Sequence, residues 1–129
     1  MSSSNTSKMT KEKKYDLEDR MVGLAADILL FVDKIPNNFS GQYYAKQLMR
    51  SAGSAALNFG EMQGSNTSND FINKASLSLK ELKESRINLK ILDRVDYGNT
   101  NMRKNLINEV DQLTRIIATI INNKKRKTI

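Results

Sequence analysis

Apolar residues recur along the chain at helical spacing in four blocks separated by three turn signals. The first block runs from about Leu17 to Lys34. Leu17, Met21, Leu24, Ile28, Phe31 and Ile35 alternate four and three apart, which lays them along one side of a helix as a bundle seam. Asp16 is a candidate N-cap, and Pro36 stops the helix because a residue before proline avoids the helical region. The second block, about Gly41 to Gln63 with Ser40 as candidate cap, carries Tyr44, Leu48, Ala52, Ala55, Phe59 and Met62 inward and ends at Gly64. The third opens at Ser68 and continues to about Tyr97, with Phe71, Ala75, Ser78, Leu82, Ser85, Leu89 and Leu92 as its seam and Gly98 beyond it. The fourth runs from about Thr100 to Asn123 along Met102, Leu106, Val110, Leu113, Ile117 and Ile120, flanked by Ile116 and Ile121. Links of a few residues make consecutive helices antiparallel neighbours, so the pattern predicts an all-α, up-down-up-down four-helix bundle over residues 15–123.

Two helices carry more apolar surface than one seam requires. Ile28 to Val32 is apolar around the whole turn, and Leu30 points about 200° from Ile28 at about 100° per residue. On the second helix Met49, Gly53, Ala56, Leu57 and Gly60 gather away from the Leu48/Ala55/Phe59 stripe. Glycine inside a helix costs about 1 kcal/mol relative to alanine, so two on one face point to a close neighbour. These residues are the candidate interface of a homo-oligomer; the alternative is a wide internal face with two tolerated glycines.

Arg50 interrupts the apolar pattern of the second helix. Counting from the turns places it level with Asp27 on one side and Glu81 or Glu84 on the other. A semi-buried arginine takes a carboxylate in fork geometry, so a structural ion pair is expected rather than an acid–base site. Helix three also carries Lys80, Lys83, Arg86, Lys90 and Arg94 within about 60° of Lys83 on a helical wheel. This stripe is either a solvated face or a candidate contact for a phosphate backbone, which needs charge but no base-reading residues.

Composition narrows the chemistry. The 129 residues suit one domain, and they contain no Cys and no His. Disulfides, thiolate nucleophiles, the usual zinc sites and the commonest general base are excluded. No catalytic residue, metal or cofactor is expected. No apolar run reaches the roughly 20 residues of a membrane span, and no secretory signal is visible, so a cytoplasmic location is expected. The net charge of +7 sits at the ends. Residues 1–14 hold Lys8, Lys11, Lys13 and Lys14 against Glu12, residues 124–127 are all basic, and residues 15–123 balance 13 basic against 13 acidic groups. The ends, 1–14 and 124–129, read as flexible basic tails able to add salt-sensitive affinity for an anionic partner.

The segment Gln47-Leu48-Met49-Arg50-Ser51-Ala52-Gly53-Ser54-Ala55-Ala56-Leu57-Asn58-Phe59-Gly60-Glu61 resembles a family signature, as does Phe71 to Leu92 around Ser78-Leu79-Lys80-Glu81-Leu82-Lys83-Glu84. With Asp16-Leu17, they resemble the four-helix-bundle proteins encoded in intervening sequences of bacterial 23S rRNA genes, over roughly residues 15–120. The chain departs from the family where Ala55-Ala56 replaces Ile-Pro and Gly60-Glu61-Met62 replaces Ala-Glu-Gly, which alters the kink of the second helix and leaves the bundle intact. The resemblance implies a ring-like homopentamer without a settled activity. The family is also similar to the accessory variability protein of diversity-generating retroelements, which associates with nucleic acid. Two functions follow as expectations: an oligomeric RNA- or DNA-binding accessory protein, or a protein-binding scaffold with no nucleic-acid role.

Overall fold

The structure is a computed structural model that describes the backbone of residues 5–127 and the side chains of residues 17–127. Four helices follow one another: α1 (Asn5–Val32), α2 (Phe39–Gln63), α3 (Ser68–Arg94) and α4 (Thr100–Lys127). Among the described residues there is no strand. Each helix packs on its neighbours in chain order and α1 also packs on α4, while the backbones of α1 and α3 stay apart, as do those of α2 and α4. The bundle is therefore a square in cross-section with α1 and α3 at opposite corners.

Helices α1 and α4 reach further than their apolar seams predict, from Asn5 and to Lys127. The segments expected as flexible tails thus include helical backbone, and residues 1–4 and 128–129 lie outside the described residues. Asp16, the expected cap of α1, falls inside that helix, whose backbone is helical from Asn5, and the caps of α2 and α3 sit one or two residues before the expected ones. Asn38, not Ser40, caps α2, its side chain accepting from the Gly41 amide at 2.8 Å. Thr67, not Ser68, caps α3 through the Asp70 amide at 3.1 Å. Asn99 accepts from the Met102 amide at 2.9 Å at the start of α4. Each satisfies a helix-end amide that would otherwise lack a partner.

The four seams meet in one core of Met21, Leu24, Ile28 and Phe31 from α1, Leu48, Ala52, Ala55 and Phe59 from α2, Leu82, Leu89 and Leu92 from α3, and Leu106, Val110, Leu113 and Ile117 from α4. Ile121 takes the last buried place on α4, and Ile120 is half-buried. Truncating a fully buried leucine such as Leu82 to alanine costs about 2–5 kcal/mol, since transfer and cavity terms add. Helices α2 and α3 meet through small residues. Ser51 and Ser85 share a hydrogen bond at 2.6 Å, and Ser78 donates to the Ala55 carbonyl at 2.8 Å. Small side chains bring the backbones close, and the internal bonds remove the cost of burying hydroxyls.

Candidate binding surfaces

Arg50 lies on the α3-facing edge of α2 and pairs with α3 alone. Its Nη1 is 3.3 Å from Glu81 Oε2, its Nη2 is 3.4 Å from Glu81 Oε1, and the same Nη2 contacts Glu84. Ser54 donates to Glu81 at 3.2 Å, which fixes that carboxylate. Asp27 takes no part in this pairing: it stands on the opposite edge of α1 and lines a groove against α4. The Arg50 side chain is 49% exposed, more open than its apolar neighbours suggest.

Sequence reasoning missed the buried cation. Arg103 is 3% exposed at the first turn of α4. Its Nε bonds Asp93 at 2.7 Å, its Nη2 bonds Asp96 at 2.8 Å, and its Nη1 donates to the carbonyls of Tyr97 (2.8 Å) and Gly98 (3.1 Å). Burial acts to lower its pKa, and the hydrogen bonds and charges of Asp93 and Asp96 more than offset this, so the group is held above its ordinary value. All three guanidinium nitrogens bond to the end of α3 or to the α3–α4 connection, which makes the cluster a structural staple. The signal was a basic residue beside the Met102/Leu106 seam with two aspartates before the turn.

The groove between α1 and α4, about 430 Å³, is lined by Arg20, Gly23, Leu24, Asp27, Met102 and Glu109 among others. Arg20 grips Glu109 with two bonds, at 2.9 and 2.7 Å, and also donates to Gln112 at 2.9 Å. The groove is open to solvent, and the ion pair in its lining is already satisfied. Among the described residues no group of His, Cys, Asp or Glu could hold a metal, and no helix is long and apolar enough to cross a membrane.

On the outer face of α3, Lys80, Lys83, Lys90 and Arg94 are exposed, while Arg86 is half-buried and tied to Asp111 of α4 at 2.6 Å. Leu77, Ile87, Ile91 and Val95 are exposed among them. The stripe is thus a mixed basic and aliphatic face. Of the candidate interface residues, Leu30 is 64% and Leu57 70% exposed. Met49 and Ala56 are half-buried against the core. A Cβ added at Gly53 or Gly60 meets nothing within 4 Å, so no contact inside the chain requires either glycine.

The topology brings the two charged ends together. Helix α1 begins, and α4 ends, beside the α2–α3 turn. Lys124 lies 4.6 Å over the Phe71 ring, which puts the last turns of α4 level with the first turn of α3. The segments carrying Lys8, Lys11, Lys13 and Lys14 and Lys124, Lys125, Arg126 and Lys127 therefore share one pole of an otherwise charge-balanced bundle.

The sequence profile of the 23S rRNA-intervening sequence proteins matches residues 13–119, most of the chain and all four helices. The chain belongs to this family. Among solved structures, this chain is similar to a protein of unknown function from the S23 ribosomal protein family of Bacteroides thetaiotaomicron. The two share 26% sequence identity with a TM-score of 0.73, over 81% of this chain and 97% of that one. Among curated proteins, none matches the chain in sequence.

Proposed function

We propose that this family member is a non-enzymatic, oligomeric accessory protein that binds nucleic acid, RNA foremost, through the basic pole. The observation that carries this reading is the convergence of both charged ends beside the α2–α3 turn, on a bundle whose residues 15–123 balance to zero. A phosphate backbone gains affinity from clustered cations by releasing its own counterions, and it needs no base-reading motif. The last-turn cations also complement the C-terminal dipole of α4, which favours positive charge at this end of the bundle. Self-association, a pentamer by family resemblance, multiplies the pole: protomers arranged with parallel axes present it repeatedly on one side, and linked weak sites gain avidity.

The α3 stripe is set apart from this reading, because Ile87 and Ile91 place aliphatic carbon where a phosphate track takes charge and water. The test is a titration of the full chain with single-stranded RNA at two salt concentrations. Replacing Lys124, Lys125, Arg126 and Lys127 with Gln is expected to weaken binding and to flatten the salt dependence, by about 0.7 in slope for each phosphate no longer neutralised. Unchanged affinity and slope would refute the pole as the site. No binding by the wild type at low salt would refute the nucleic-acid reading and leave the scaffold reading.

A further inference from the structure

The outer faces of α1 and α3 form a matched pair. On α1, Val22, Leu29 and Leu30 are exposed, accompanied by exposed Glu18 and Asp19 and, just past its end, Asp33. On α3, Ile87 and Ile91 and, at its C-cap, Val95 are exposed, accompanied by exposed Lys83, Lys90 and Arg94. Both faces are apolar; one carries acids and the other bases. Each runs for about four turns, roughly 20 Å of helix at about 1.5 Å per residue.

Their heights agree as well. The Glu109–Gln112 stretch of α4 holds Arg20 of α1 on one side, and neighbouring Asp111 holds Arg86 of α3 on the other. Arg20 and Arg86 are therefore level, so Val22 stands near the height of Ile87 and Leu29 near that of Val95. The two helices run in the same direction and occupy opposite corners of the square. A surface pair of this kind cannot meet within one chain.

We propose that the acidic–apolar face of α1 docks on the basic–apolar face of α3 of a second copy, making a head-to-tail contact. The paired aliphatic residues supply the burial, and the flanking charges set register and polarity. A contact between two different patches leaves one of each free on every pair, so it propagates, closing into a ring where the rotation between copies permits and running on as an open filament where it does not. It also accounts for the mixed α3 stripe, whose aliphatic residues neither a solvated face nor a phosphate track requires. This interface rests on the proposed self-association and is independent of the nucleic-acid reading.

Sedimentation velocity of four full-length chains tests it: wild type; an α3 reversal (Lys83→Glu, Lys90→Glu, Arg94→Glu); an α1 reversal (Glu18→Lys, Asp19→Lys, Asp33→Lys); and the chain combining both. Each single reversal sets like charges face to face and is expected to weaken self-association at least tenfold, roughly, the scale of lost charge complementarity. The combined chain is expected to restore it, which also shows that the reversed chains fold. A wild type that stays monomeric at high micromolar concentration overturns self-association altogether. A wild-type oligomer that both single reversals leave intact, or that the combined chain fails to restore, overturns this interface alone. An α3 reversal that keeps its assembly and loses RNA affinity overturns it too, and returns the stripe to nucleic acid.

Discussion

The outer edge of α2 and the α3–α4 connection are built from the same residue types, arginine, carboxylates and glycine, to opposite effect. At the edge of α2, Arg50 faces two glutamates in reach of water, and Gly53 and Gly60 look onto open space. At the connection, Arg103 is sealed among two aspartates and two carbonyls. Gly98 there adopts φ 83°, and a Cβ on it would lie 2.5 Å from Phe31 Cε1. The difference is what surrounds the groups. A water-exposed ion pair trades one set of hydrogen bonds for another, whereas a buried one has no substitute for the bonds it loses. The connection therefore belongs to the fold, and the edge of α2 is free to serve a contact outside the chain.

The largest expected effect breaks the sealed side. Arg103→Met keeps much of the side-chain volume and removes every bond to the connection. It is expected to lower stability by about 1.5–3 kcal/mol, the range for hydrogen bonds to a charged group. The partial exposure of Asp93 and Asp96 lets them rehydrate and keeps the loss below that of a fully buried pair. Arg103→Lys is expected to recover little, since one ammonium cannot replace a fork reaching four acceptors. Arg50→Met is the counterpart and is expected to cost less than about 1 kcal/mol. Urea melts of the three variants rank them, and an Arg50 loss equal to that of Arg103 would erase the distinction between the two regions.

Next in size is Gly98→Ala. Its backbone lies in the left-handed region, and the new methyl collides with a ring fully buried in the core. A cost of about 1–3 kcal/mol is expected, the range for a residue held in a sparsely populated conformation. A thermal melt within error of wild type would show that the turn relaxes without disturbing Phe31.

The same contrast explains what was legible beforehand. Seam residues such as Ile28, Leu48, Leu82 and Val110 repeat at helical spacing because one side of each helix must leave water, so four helices and their order could be read directly. Caps shifted by one or two residues because Asn38 and Ser40, or Thr67 and Ser68, offer equivalent side-chain acceptors, and only backbone geometry selects between them. Arg103 stayed hidden because its partners are defined by a turn, and periodicity carries no information about turn shape. The Arg50 pairing narrowed from three carboxylates to two because level-counting fixes height along a helix but not which edge a side chain occupies. Ile87 and Ile91 went unremarked since a search for inward stripes passes over aliphatic residues on the opposite side. The pole was visible as charge at the chain ends, but its convergence needed the topology.

The smallest expected effect bears on the open side. Gly53→Ala and Gly60→Ala each place a methyl where nothing lies within 4 Å, so the protomer has no reason to resist them. Helix propensity then stabilises the protomer by up to about 1 kcal/mol per site. Neutral or positive shifts in the melting temperature of dilute protein are expected, and a loss of stability there would show that the glycines serve the fold after all. The assembly reads differently. Should a second copy also lie across this edge beside Leu57, Gly53→Leu with Gly60→Leu fills the space its helix occupies, and sedimentation falls to a smaller species while the dilute protomer melts no lower. An intact oligomer in that double variant confines the contact to the faces of α1 and α3. The glycines would then be tolerated costs on a surface that nothing covers, and the charge reversals alone would govern assembly.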